Sequence, residues 1–278
     1  MINWLESFHI LTGKIIHRLK VERKRSSQFP FLEDVLCKDL DIVLVCSTGR
    51  SGTKFLSELI NKNIKEADCS HEPRPEFFYN QNSLFHRLNP SMTRYFLTSR
   101  MEGLLYSYWN KKIYVEISTK STVLLEELIE TFPKLKILHL WRDPLAFVNS
   151  SMNRGYYTTN RVSESRIYPS LDRSWKADFS VEDKCVWNWI TTNKFIYENS
   201  KRIPSERLLT VKSEDLFDSS DIQKNVLRFI AGNDTNIKLK VPGRLNESRA
   251  VCSREISTFN SRFHRDVHEL LNQLENKQ

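Results

Sequence analysis

The segment Ser47-Thr48-Gly49-Arg50-Ser51-Gly52-Thr53-Lys54-Phe55-Leu56 gathers two of the chain's seven glycines, two cations and four hydroxyls. Glycines let a backbone wrap closely around an oxyanion, and successive N–H groups in such a turn form an anion-binding concavity. Arg50 and Lys54 supply charge, while Ser51 and Thr53 supply further donors. The pattern differs from G-x-x-x-x-G-K-[ST], because Thr53 and Lys54 follow Gly52 in the reverse order. The hydroxyl that would directly follow the lysine and ligate Mg²⁺ is missing, so the segment argues for phosphate binding without a metal. A second cluster is Arg142-Asp143-Pro144, with Ser150 eight residues after Arg142. Pro144 starts a helix, which carries Ser150 nearly two turns along, within reach of a group bound beside Arg142.

These residues need elements to position them. Ile42-Val43-Leu44-Val45-Cys46 is a continuous apolar run, the mark of a strand buried on both faces. Phe55, Leu56, Leu59 and Ile60 give the loop a helix to lead into, whose first N–H groups face an anion. Further strands are predicted at Ile113–Ile117, Ile137–Trp141 and Leu208–Val211, and a short apolar run at Ile64–Ala67. Helices are predicted around Leu124–Ile129, after Pro144, over Val181–Asn199, and as closing helices over Asp221–Ile230 and Glu255–Leu274. The alternation predicts an α/β fold: a P-loop-type parallel sheet flanked by helices on both faces, in one domain spanning 41–278.

The chain has 278 residues, 40% hydrophobic and 27% charged, as expected of a globular protein. A net charge of +8 favours anionic partners: nucleotides, glycans, membrane surfaces or nucleic acid. Five scattered cysteines without a CxxC read as reduced, structural thiols, and the histidines and cysteines show no metal-ligand spacing. Residues 1–40 form a separate extension: an amphipathic pattern from Trp4 to Leu19, then a basic run from Lys20 to Arg25. Packing of this helix on the domain is the favoured expectation, and contact of residues 1–25 with an anionic membrane the alternative. With neither a signal peptide nor an apolar span, a cytoplasmic protein is expected, reaching the inner membrane face only through that extension.

Together, the loop after strand one and Arg-Asp-Pro-x5-Ser after a later strand resemble the motifs of the sulfotransferases that use 3′-phosphoadenosine-5′-phosphosulfate (PAPS). The resemblance implies that Gly49, Arg50, Ser51, Gly52, Thr53, Lys54 and Phe55 cradle the 5′-phosphosulfate, and that Arg142 and Ser150 hold the 3′-phosphate. Val211–Leu216 and Cys185–Trp189 are similar to two further family segments, so the likeness runs over roughly residues 41–231. Lys54 stands where the family usually has a second Thr, in the style of bacterial members. The family's C-terminal Arg-Lys-Gly anchor has no clean match; Pro242-Gly243-Arg244-Leu245-Asn246 is the candidate substitute.

Sulfuryl transfer needs a base for the acceptor proton and cations for the leaving charge. Arg50 and Lys54 are the cations by position. By the resemblance, a Glu after the second strand is the base, and Glu72 matches it best; His71 follows on chemistry, then Glu76 and Glu116. The stretches 79–112 and 154–179 are the expected acceptor region, for a glycan, lipid or other small hydroxyl- or amine-bearing molecule; their aromatics Tyr95, Phe96, Tyr106, Tyr108, Trp109, Tyr156, Tyr157 and Trp175 suit either a binding wall or, equally, plain packing. The expected co-substrate is PAPS, its product PAP (adenosine 3′,5′-bisphosphate), with no metal and no nucleic acid. Alternatives are a P-loop small-molecule kinase, and a non-catalytic basic protein binding an anionic ligand.

Overall fold

A computed structural model of the chain describes residues 34–74, 92–158, 167–169, 175, 177–232, 238–243 and 261–277. The N-terminal extension before 34, Glu76, and Arg244 to Asn246 therefore lie outside the described residues. A short helix α1 (34–39) leads into β1 (Ile42–Cys46). Then follow α2 (Thr53–Asn63), β2 (Ala67–His71), α3 (Met92–Trp109), β3 (Ile113–Ile117), a 3₁₀ turn (Ser121–Leu124), α4 (Leu125–Thr131) and β4 (Lys136–Trp141). The rest comprises α5 (Pro144–Asn153), α6 (Val181–Ser200), β5 (Leu208–Lys212), α7 (Ser213–Asp218), α8 (Ser220–Ala231) and α9 (Ser261–Glu275).

The five strands form one parallel sheet in the order β2-β3-β1-β4-β5. Alternation along β1 explains why both faces are covered. Ile42, Leu44 and Cys46 point into a core with α3 and α4 residues such as Phe96, Leu104 and Leu128. Val43 and Val45 point into a second core built with Leu56, Leu59 and Ile60 of α2 and Leu227 and Ile230 of α8. Because the apolar faces of β1 are both used, its run reads as unbroken in sequence.

Two elements differ from the sequence reading. The short apolar run predicted at Ile64–Ala67 reaches only the start of β2, whose sequence Ala-Asp-Cys-Ser-His is polar. As the edge strand, β2 is half-covered, so apolarity does not announce it. The aromatic stretch before Lys112 contains α3, a helix of 18 residues. Its aromatics divide: Phe96 is buried in the core, while Tyr106 and Trp109 are exposed.

Candidate active site

The C-terminal ends of all five parallel strands meet along one edge of the sheet, where α/β folds of this kind bind ligands. After β1 the backbone turns left-handed three times, at Gly49 (φ 76°), Arg50 (φ 56°) and Gly52 (φ 76°). Gly52 is the N-cap of α2 and offers no side-chain cap, so the first N–H groups of that helix remain open to a ligand. Glycine is required there twice over: besides its φ, an added Cβ would lie 2.4 Å from the Phe217 ring. That ring meets Phe55 edge-to-face at 5.1 Å, which packs α7 against the loop. Ser51 is fully buried and its Oγ donates to the Gly49 carbonyl at 2.9 Å, so this hydroxyl braces the loop from inside.

The beginning of α5 is built the other way. Asp143 caps it, accepting from the Ala146 N–H at 3.0 Å, and Pro144 occupies the first turn. A carboxylate thus closes that helix end, in contrast to the start of α2, which carries no side-chain cap.

The two predicted anchors meet. Arg50 Nε donates to Ser150 Oγ at 3.0 Å, and Arg142 donates to the Arg50 carbonyl at 2.7 Å. Arg142 Nε is buried without a hydrogen-bond partner among the described residues; Glu214 Oε1, at 3.6 Å, pairs with it in charge but is too distant to accept. Burial lowers the Arg142 pKa against the pull of Glu214, and burial likewise raises the Glu214 carboxyl. Ser213 ties the region together, its Oγ lying 2.8 Å from the Ser51 carbonyl and 2.9 Å from that of Trp141. Trp189 of α6 fixes the Arg142 carbonyl through its indole N–H at 2.8 Å.

Across the loop stands the end of β2. His71 Nε2 and Thr53 Oγ1 share a hydrogen bond of 3.0 Å, joining β2 to the first residue of α2. Burial lowers the His71 pKa, opposed by the Glu72 carboxylate and reinforced by the Lys54 charge. Glu72 adopts a left-handed backbone (φ 48°), and its N–H donates to the Ile117 carbonyl at 2.9 Å. Its carboxylate accepts from Ser118 Oγ at 3.2 Å, from Thr119 N at 3.3 Å and from Thr119 Oγ1 at 3.2 Å. Lys120 Nζ lies 3.9 Å away, on a side chain only 6% exposed. A non-glycine residue in this left-handed region costs on the order of 1–3 kcal/mol, and the contacts around Glu72 hold it there.

A family model for the sulfotransferase domain matches residues 40–230. The chain belongs to the sulfotransferase family. Among solved structures, a sulfotransferase from Alicyclobacillus acidocaldarius superposes with a TM-score of 0.51 at 12% identity, over 85% of this chain and 96% of that one. The sulfotransferase domain from the curacin biosynthetic pathway gives 0.44 at 14% identity, over 69% and 73% of the two chains. One from Mycobacterium tuberculosis H37Rv gives 0.43 at 13%, over 73% and 70%. At such identities the likeness concerns the fold alone. A search of curated proteins finds no match.

Within this sulfotransferase, Gly49 to Phe55, Arg142, Ser150, His71 and Glu72 all lie on that one edge of the sheet. Glu116 does not join them as a free carboxylate. It is fully buried, paired with Arg100 at 2.9 Å, and accepts further bonds from Tyr114 and Ser121. Lys120 escaped the sequence reading, having no partner in a motif; only the parallel alignment of β2 with β3 brings it to Glu72. The expected acceptor aromatics Tyr157 and Trp175 pack edge-to-face at 5.2 Å, and Trp175 meets Trp187 of α6 at 5.1 Å. Tyr156 is buried in the core of α5, α6 and α9, with Tyr157 and Trp187 packed against it.

Proposed function

We propose that the chain transfers the sulfuryl group of PAPS to a hydroxyl or amine of a glycan, lipid or other small acceptor. The observation that carries this is the junction of Arg50 with Ser150 and of Arg142 with the Arg50 backbone. It unites the uncapped start of α2 with a second cationic anchor, which suits a nucleotide phosphorylated at two places better than ATP. Arg142 Nε, buried and without a hydrogen-bond partner among the described residues, is a donor suited to an acceptor oxygen such as a 3′-phosphate supplies.

In this reading the acceptor oxygen or nitrogen attacks sulfur in line, the bond from sulfur to the phosphate oxygen breaks, and PAP departs. Glu72 takes the acceptor proton. Ser118 and Thr119 hold its carboxylate, and the open N–H groups of α2, with Lys54 and Arg50, meet the charge developing on the leaving phosphate. His71, bonded to Thr53, orients the loop and is the alternative base. No step asks for a metal.

Calorimetric titration with PAP, 5′-AMP and ATP–Mg²⁺ tests the donor assignment. PAP is expected to bind most tightly, and Arg142→Ala to weaken it by roughly 10- to 100-fold, the worth of a charged hydrogen bond. Preference for ATP–Mg²⁺, with PAP ignored, overturns the reading in favour of a kinase.

A further inference from the structure

The ion pair between Arg100 of α3 and Glu116 of β3 is almost wholly buried, with side chains 3% and 0% exposed. Its geometry is bidentate: Arg100 Nε donates to Oε2 at 2.9 Å and Nη2 to Oε1 at 3.2 Å. Tyr114 donates its hydroxyl to Oε2 at 2.8 Å, and Ser121 donates to Oε1. Two charges taken out of water cost much of what they gain from each other, and an apolar pair of equal volume is often as stable. Stability alone therefore does not account for this pair; what it specifies in space does.

What it specifies is the turn after β3. Glu116 grips Ser121 through that hydroxyl. The N–H groups of Lys120 and Ser121 each donate to Ser118 Oγ at 3.3 Å, and Ser118 Oγ in turn donates to Glu72 Oε2 at 3.2 Å. From the same turn, Thr122 Oγ1 donates to the Ser118 carbonyl at 3.2 Å and accepts from the Ser47 N–H at 3.3 Å. Ser47 is the first residue of the phosphate loop. The turn 118–122 thus fastens Glu72 to the start of the donor loop, and the buried pair anchors the turn.

We propose that Arg100, Glu116 and Ser121 are positioning residues for sulfuryl transfer, acting through Ser118 on Glu72 and through Thr122 on the phosphate loop. This rests on the reading of Glu72 as the base. Hydrogen bonds around a carboxylate fix its direction, and a small misplacement of a catalytic group costs turnover more than affinity. The relay meets the loop at Ser47, ahead of the Gly49–Phe55 segment that holds the donor, so PAP affinity changes little while turnover falls.

The test uses the full chain, turnover of ³⁵S-labelled PAPS with water as the acceptor, PAP titration, and amide hydrogen exchange. The variants are Ser121→Ala and the double replacement Arg100→Met with Glu116→Leu, which removes both charges together and, with them, the acceptor of the Tyr114 and Ser121 hydroxyls. Ser107→Ala, which deletes a partly buried hydrogen bond from α3 to Asp68 of β2, is the control. Both relay variants are expected to lower turnover at least tenfold with PAP affinity within about threefold, and to speed exchange at Lys120 and Ser121 about tenfold; the control keeps wild-type turnover. Relay variants that turn over within twofold of wild type overturn the proposal, and if the double variant does not fold, Ser121→Ala decides it. Wild-type turnover in Glu72→Gln means instead that the base reading has failed; exchange at Lys120 and Ser121 then decides the relay, and a change below twofold overturns it.

Discussion

Replacing Gly52 with Ala should damage the donor loop in two separable ways. The first is conformational. Gly52 sits at φ 76° and ψ 21°, in the left-handed region, where a side chain costs about 1–2 kcal/mol. The second is steric. The new Cβ would stand 2.4 Å from Phe217 Cζ and 2.9 Å from Cε1, and the ring is held by its edge-to-face contact with Phe55. Overpacking of this kind costs typically about 1–3 kcal/mol. The sum, roughly 2–5 kcal/mol, corresponds to a fall of roughly 5–15 °C in Tm for a chain of this size. Phe217→Leu removes the ring atoms that meet the Cβ and leaves φ untouched. In a double-mutant cycle read by urea denaturation, Phe217→Leu should therefore recover the steric part and leave the conformational part. PAP affinity should fall in Gly52→Ala and return partly in the double variant. Costs that add to within about 0.5 kcal/mol, with no coupling, would falsify the placement of Phe217 over the loop.

Arg100→Met alone leaves Glu116 charged and fully buried, so a loss of about 3–5 kcal/mol is expected in denaturation, larger than that of the double replacement. His139 is buried on Asn193 Oδ1 at 2.9 Å, and burial lowers its pKa from 6.5 to about 4. Below pH 6.5 the unfolded chain takes up a proton that the folded chain refuses, so stability falls with pH until about pH 4. By pH 4.5 that loss should reach roughly 2–3 kcal/mol in wild type and be absent in His139→Gln, read by denaturation at pH 7 and 4.5. Asp143→Ala removes the cap on α5 and should cost about 1 kcal/mol; Asp143→Asn, which can still accept from Ala146, should restore most of it.

Much of this protein is legible from its residues taken locally. The apolar run Ile42–Cys46, the glycines after it and the helical face of Phe55 to Ile60 declare strand, left-handed turn and helix, because each signal is confined to a few neighbours. Arg142 and Ser150 are readable for the same reason, being joined by one helix. Three things lay beyond local reach. The strand β2 is polar because it lies at the sheet edge, and an edge position is a property of the whole sheet. Lys120 and Glu72 are 48 residues apart, and only the pairing of β2 with β3 joins them. Glu116 reads as an available carboxylate in sequence and is a buried ion pair in space, since α3 carries Arg100 across that face of β3. Sequence determines which groups can hold phosphate, since that chemistry is built from neighbours; which carboxylate is presented and which is sealed depends on strand order, and packing alone decides it.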